Sequence, residues 1–228
     1  MILDIHAHFT PTKLDGQSII SLSIGDKDFA SSFETCRALN IPLSIGLHPW
    51  HVDEGRTVQV CCDLIPWLKL PQVCLVGEAG IDRLRGGKIE LQQEIFEMQA
   101  HLAKKAGKPL IVHCVKALDE IIRLHKQNFP HEPWIIHGFR GKPEQAHQLL
   151  REGFFLSFGE HFNEEALRLC PPNRLLMESD ESLLSIEELY VRAATLRGME
   201  AEELKEQVNR NIESLIQRQK GVSSFFLR

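Results

Sequence analysis

The sequence predicts an α/β fold, a (β/α)8 TIM barrel whose first βα connection is shortened, carried by one domain over residues 1–228. Three observations predict it. Runs rich in Val, Ile, Leu and Phe recur eight times, at residues 2–8, 18–24, 43–47, 73–78, 110–114, 134–137, 154–158 and 174–178. Most are separated by a stretch long enough for a helix. Polar residues of metal-binding type gather at the C-terminal ends of six runs, the end at which parallel barrels carry their chemistry.

The first run, Asp4-Ile5-His6-Ala7-His8, puts Asp4, His6 and His8 on one face, because strand side chains alternate. Nine residues, including Pro11 and Gly16, separate it from the second run, too few for a crossover with its own helix. A helix over 28–39 leads to the third run, which ends in Gly46-Leu47-His48-Pro49. One over 58–68 leads to the fourth, ending Gly77-Glu78-Ala79-Gly80-Ile81-Asp82. The clearest helix, 89–106, places Leu91, Ile95, Met98 and Leu102 at spacings of four, three and four, and Gly107 then Pro109 end it. The fifth run ends in His113, the sixth in His137-Gly138-Phe139 and the eighth in Glu178-Ser179-Asp180. Helices over 118–127, 143–152, 163–169 and 186–197 fill the remaining intervals, and 199–219 closes the chain.

A chain of 228 residues, 43% hydrophobic, can bury one large core. It shows no leader pattern and no apolar run approaching a membrane span, so a cytoplasmic location without membrane contact is expected. Six cysteines without a CxxC pair read as reduced and mostly core-packing, Cys61-Cys62 on a helix included. A net charge of -5 argues against coating nucleic acid by bulk electrostatics. A local positive cleft is still available, because Lys13, Arg83, Arg85, Lys88, Lys116, Arg140 and Lys142 fall in loops of the presumed active face, among Asp53, Glu54, Glu160 and Glu181.

A histidine-X-histidine pair alone is weak in a chain with 11 histidines. Its weight comes from convergence, since imidazoles and acids meeting at one barrel mouth are costly to bury without a cation. His51, His101, His125, His131, His147 and His161 lack partner spacing and read as surface or cap residues.

The succession DIHAH, GLHP, GEAGID, PLIVH, IHGF and ESD resembles the motif series of the TatD family of metal-dependent deoxyribonucleases, among the amidohydrolase-like barrels, from residue 2 to about residue 183. Asn209 or Asn211 resembles that family's C-terminal asparagine. The resemblance implies two divalent metal ions drawn from Zn, Mn, Ni, Fe or Mg. His6, His8 and Asp180 would hold one, His113 and His137 the second, with Glu78 bridging. It implies hydrolysis of a DNA phosphodiester, exonuclease-like, by a hydroxide shared between the ions, with Asp180 and Glu78 catalytic. His48, Lys116, Phe139 and Arg140 would contact substrate, and Trp50 is a second aromatic available to a base. Asp4 and Glu178, deeper on the inward strand faces, would orient ligands by hydrogen bonding.

Four departures from the family pattern lie near the substrate. They are the short first connection, Val115-Lys116 in place of an arginine, Arg140 in place of a small residue, and Glu181-Ser182 without the usual proline. They keep two alternatives in view: a hydrolase of small amides, lactones or phosphoesters on the same barrel, and an inactive metal-binding interaction protein.

Overall fold

Eight strands, β1 (Asp4–His8), β2 (Ser18–Ser23), β3 (Leu43–Gly46), β4 (Val73–Asp82), β5 (Leu110–Val115), β6 (Trp134–Ile136), β7 (Phe155–Phe158) and β8 (Leu175–Met177), pair in parallel in chain order in the computed structural model, which describes residues 1–10, 13–14, 16–55 and 57–217. The seam between β8 and β1 is closed just beyond β8, by a parallel bridge between Ala7 and Asp180 in which the Asp180 N–H donates to the His6 carbonyl at 2.9 Å. This is the (β/α)8 barrel expected. Helices α1 (Phe29–Ala38), α2 (Thr57–Leu68), α3 (Ile89–Ala106), α4 (Leu118–Asn128), α5 (Pro143–Arg151), α6 (Glu164–Leu169) and α7 (Ile186–Arg197) alternate with the strands from β2 onward, and α8 (Ala201–Gln217) follows.

Local chemistry explains the boundaries. Gly107 (φ 65°) takes the left-handed conformation that ends α3, and Ser185 with Glu188 forms a reciprocal capping box at the start of α7. The strands are apolar on both faces because β5, β6 and β7 lie between a filled barrel interior and the helix layer, with Leu110, Ile111, Val112, Ile135 and Leu156 all buried. Among the described residues no α-helix separates β1 from β2. Instead the Gln17 carbonyl accepts from Leu3 and Asp4 N–H at 2.9 and 3.2 Å and brings β2 directly alongside. Pro11 of that connection lies outside the described residues.

Strand β4 runs four residues further than the apolar pattern predicts. The small and polar stretch after Glu78 resembles a loop, but a register shift between Val76 and Ala79 lets Ala79 to Asp82 pair with Val112 to Val115. Glycine is required there twice: Gly77 has φ 123° and a Cβ on it would fall 2.6 Å from the Ile111 carbonyl, and a Cβ on Gly80 would overlap the His113 carbonyl.

The C-terminal helix plugs the seam from outside. Buried Asn211 donates to the carbonyls of Pro172 and Leu175 at 2.7 and 2.8 Å, Asn209 Oδ1 accepts from Ile2 N–H at 3.0 Å, and Tyr190 on α7 donates to the Leu3 carbonyl at 2.7 Å. The expected last two residues of that helix, 218 and 219, and the Cys61 side chain lie outside the described residues. Two expectations change: Cys62 is exposed rather than core, and His125 is 1% exposed, packed between Trp134 and Phe154. No helix of the described residues is long and apolar enough to cross a membrane.

Candidate metal centre

Glu78, projecting from the middle of β4, is the hub of the barrel mouth. It is 3% exposed, and its two oxygens face different partners. Oε1 lies 2.5 Å from His113 Nδ1, 2.7 Å from His137 Nε2 and 3.2 Å from His48 Nε2, whereas Oε2 lies 3.3 Å from His6 Nε2 and 3.9 Å from His8 Nε2. Asp180 completes the second group, with Oδ1 3.2 Å from His8 Nε2 and 3.7 Å from His6 Nε2. Asp180 reaches that position because its backbone is left-handed (φ 47°), a conformation aspartate tolerates better than most residues, which inserts it into the seam between His6 and His8.

Electrostatics in the mouth favour separated charge. Burial alone would raise the Glu78 carboxyl, but His137, then His113 and His48, outweigh it and hold it well below the usual carboxylate range. Burial would lower His137, yet Glu78 and Glu178 draw it well above the usual imidazole value. Asp180 is held down, against burial, chiefly by His8 and His6. The cluster therefore keeps Glu78 and Asp180 ionised and draws positive charge onto His137.

Donor chemistry and unmet hydrogen bonds fit divalent cations. Both ring nitrogens of His6, Nδ1 of His137 and Oε2 of Glu178 are buried without a hydrogen-bond partner among the described residues. Among the described residues four sets of donor atoms each lie within 4.8 Å of one another: His6, His8 and Asp180; His6, Glu78 and His137; His48, Glu78 and His113; and His137, Glu178 and Asp180. Mixed imidazole and carboxylate donors suit transition-metal cations better than a pure oxygen cage does.

Several neighbours fix ring orientation. Asp82 Oδ2, at the end of β4, lies 3.3 Å from His113 Nε2, so that nitrogen carries the proton and Nδ1 turns to the cluster. Asp82 is 2% exposed and also accepts from Trp50 Nε1 (2.6 Å) and from the Leu84 and Arg85 N–H groups (2.8 and 3.1 Å). Although burial opposes it, these bonds hold the Asp82 carboxyl below its ordinary value. Sequence reasoning gave Asp82 no role. Its only signal was an acid ending the GEAGID run, four residues past Glu78 and hence on the same strand face. Glu178 accepts from the Gly138 N–H at 2.5 Å and stands 3.5 Å from His137 Nδ1.

Asp4 acts on the ligand-type residues through their backbone. Its carboxylate accepts from the His6 and Ser179 N–H groups (3.3 and 3.1 Å) and from the Ser18 and Ser179 hydroxyls (3.2 and 2.6 Å). It thus fixes the backbone that carries ligands rather than an imidazole ring, and burial pushes its pKa up to about 6.

The profile described as TatD related DNase matches residues 3–217. The chain belongs to the TatD-related DNase family. It is 32% identical over 149 residues to the 3'-5' ssDNA/RNA exonuclease TatD of Edwardsiella piscicida, a match covering 61% of this chain and 57% of that protein, little more than half its length. Against the 3'-5' ssDNA/RNA exonuclease TatD of Pantoea vagans it is 28% identical over 203 residues, 75% of each chain. Among solved structures it resembles YJJV, a TatD homolog from Escherichia coli K12, with TM-score 0.79 and 22% identity over 95% of this chain and 98% of that one, a likeness of fold.

The substrate-side residues of this TatD-family chain scatter more than its ligand-type residues. His48, 8% exposed, accepts from the Trp50 N–H at Nδ1 (3.2 Å), so Nε2 carries its proton, and burial lowers its pKa. Arg140 is exposed and lines two cavities of about 290 and 380 Å³ that meet at Asp180. Phe139 is 5% exposed, packs edge-on against Phe158 at 5.9 Å, and lines the larger of these cavities. Lys116 projects from a left-handed bend (φ 53°) and lines none of these cavities. Of the loop cations, Arg83 pairs with Glu120 and Lys88 with Glu54 (2.5 Å), which removes two of the seven from an unpaired phosphate track. His51, read from sequence as a surface or cap residue, instead lines a cleft of about 260 Å³ with His8, His48, Trp50, Glu78 and Asp180.

Proposed function

We propose that this chain is a metal-dependent phosphodiesterase that shortens single-stranded nucleic acid from an end. The observation that carries the reading is the division of Glu78. One oxygen faces His113 and His137, the other faces His6 and His8 beside Asp180, as a carboxylate bridging two cations requires. His6, His8, Asp180 and Glu78 Oε2 would hold one divalent ion and His113, His137 and Glu78 Oε1 the other. Ions bound there supply Lewis acidity, lowering the pKa of a water and neutralising charge on phosphoryl oxygens.

The chain's own groups do the rest. Asp180, ionised and partly open to the cleft, accepts the proton of the attacking water. His48 offers its Nε2–H to a non-bridging phosphoryl oxygen in place of Glu78, and its neutral state keeps that donor oriented. Asp82 and Glu178 hold His113 and His137 in register. Arg140, between two cavities at Asp180, attracts the phosphate of the following nucleotide. The 3'-5' ssDNA/RNA exonuclease names of the relatives support the substrate and polarity.

The test is hydrolysis of an end-labelled single-stranded oligonucleotide by metal-loaded protein, beside an Asp180→Asn variant and a panel of amide, lactone and phosphomonoester substrates. Stepwise shortening from the 3' end, abolished in the variant, is expected. Turnover of a panel member with the oligonucleotide left intact would replace the nuclease reading with that of a small-molecule hydrolase.

A further inference from the structure

We propose that Trp50 is the stacking platform for the nucleobase attached to the scissile phosphodiester. The proposal rests on the phosphodiesterase reading and assigns its nucleoside subsite.

Trp50 combines exposure with immobility. The residue is 42% exposed at the barrel mouth, yet both of its N–H groups are engaged by buried partners. The backbone N–H donates to His48 Nδ1 at 3.2 Å and the indole N–H to Asp82 Oδ2 at 2.6 Å. The Pro49–His51 turn that carries it is anchored again from β2. Ser23 Oγ accepts from the His48 and Gly25 N–H groups at 3.2 and 3.3 Å, so its own proton goes to His51 Nδ1 at 3.0 Å, and His51 Nε2–H then faces Asp26 at 3.4 Å. His51 also packs onto Gly25, where a Cβ would fall 2.6 Å from its Cγ. An exposed aromatic whose rotamer is already fixed loses little freedom when a ligand stacks on it.

The surroundings select a base. The exposed guanidinium of Arg85 lies 4.7 Å over the indole, which shows that the ring face admits a planar group and that only a solvent-facing side chain covers it there. A nucleobase displacing Arg85 would occupy the same face, and the freed guanidinium is then available to a phosphate. The rings of His48 and His113 stand 76° and 77° to the indole, with centroids 4.7 and 6.0 Å away, so the platform adjoins the imidazoles that flank Glu78. Asp82 Oδ2 faces both the indole N–H and His113, fixing the platform and a candidate ligand with one oxygen. Phe139, the other aromatic singled out in the sequence, is packed against Phe158.

The test uses single-stranded oligonucleotides ending at the 3' side in 2-aminopurine or in an abasic residue, bound to full-length protein in chelator so that no hydrolysis occurs. Stacking on Trp50 is expected to quench the 2-aminopurine and to favour the base-bearing end over the abasic end by about tenfold. Trp50→Leu is expected to lose both effects, and Trp50→Phe, which keeps an aromatic ring, to retain part of each. Undiminished quenching in Trp50→Leu, or equal affinity of the unmodified protein for the two ends, would overturn the proposal. Cleavage by metal-loaded protein is scored separately. Cleavage without quenching overturns the platform alone, whereas quenching without cleavage overturns the phosphodiesterase reading and leaves Trp50 a base-stacking site with no scissile bond assigned to it.

Discussion

Replacing Asp82 with Asn changes one atom in the wall of the cleft. Oδ1 can keep its bonds from the Leu84 and Arg85 N–H groups. The other position becomes an NH2 facing two donors, the Trp50 indole N–H at 2.6 Å and His113 Nε2 at 3.3 Å. Two donors cannot share a contact, so His113 is driven to the tautomer protonated at Nδ1, the nitrogen that must be bare to bind a cation beside Glu78. Loss of such an orienting carboxylate weakens metal binding by about 10- to 100-fold. That is about 1.4 to 2.7 kcal/mol at the His113–His137 position. The His6–His8–Asp180 position, which Asp82 does not touch, should shift much less. Competition against a chromophoric chelator, with metal counted per chain, resolves the two sites. Equal weakening of both, or of neither, would refute the argument that Asp82 sets the His113 tautomer.

Three further outcomes follow from the structure. Glu78→Gln removes the charge that both ligand groups share, so activity should fall by two orders of magnitude or more, beyond the range of about 10- to 100-fold for an orienting residue, with metal content falling in step; full occupancy in the variant would exclude a bridge. Lys108, whose ammonium is buried against the Val73 and Leu70 carbonyls, has its pKa pushed down to about 8 by burial. The unfolded chain therefore binds more protons between about pH 8 and 10.5, and the unmodified protein should gain about 3 kcal/mol over that window relative to Lys108→Met in parallel urea titrations; identical pH slopes would remove the effect. Asn211→Ala leaves the Pro172 and Leu175 carbonyls without their donor and should cost about 2 to 4 kcal/mol of unfolding free energy; a loss under about 1 kcal/mol would mean that water replaces the amide.

The ligand-type residues were legible because strand parity and barrel topology both act on them. Alternation puts His6 and His8 on one face, and parallel strands in chain order deliver Glu78, His113, His137 and Asp180 to the same end. What escaped was set by contacts that no periodicity encodes. The extension of β4 through Asp82 depends on a register shift against β5, and its Ala-Gly-Ile-Asp sequence has no strand signal of its own. Phe139 and Trp50 each follow a histidine motif closely, yet one turns into the core and the other to solvent. Arg83 and Lys88 read as candidate phosphate contacts until Glu120 and Glu54, from other segments, are seen beside them.

The seam at which Asp180 enters β1 gives assembly a direction. Asp4 and Ser179, hydrogen-bonded across it, are 175 residues apart in the chain. The Glu78, His113 and His137 group is present in the polypeptide once β6 has been synthesised, whereas the His6, His8 and Asp180 group lacks its carboxylate until the segment after β8 is made. On the two-ion reading proposed above, ribosome-bound chains ending before residue 180 would offer a cation one set of ligands, and occupancy of the other would report that the ring of strands has closed.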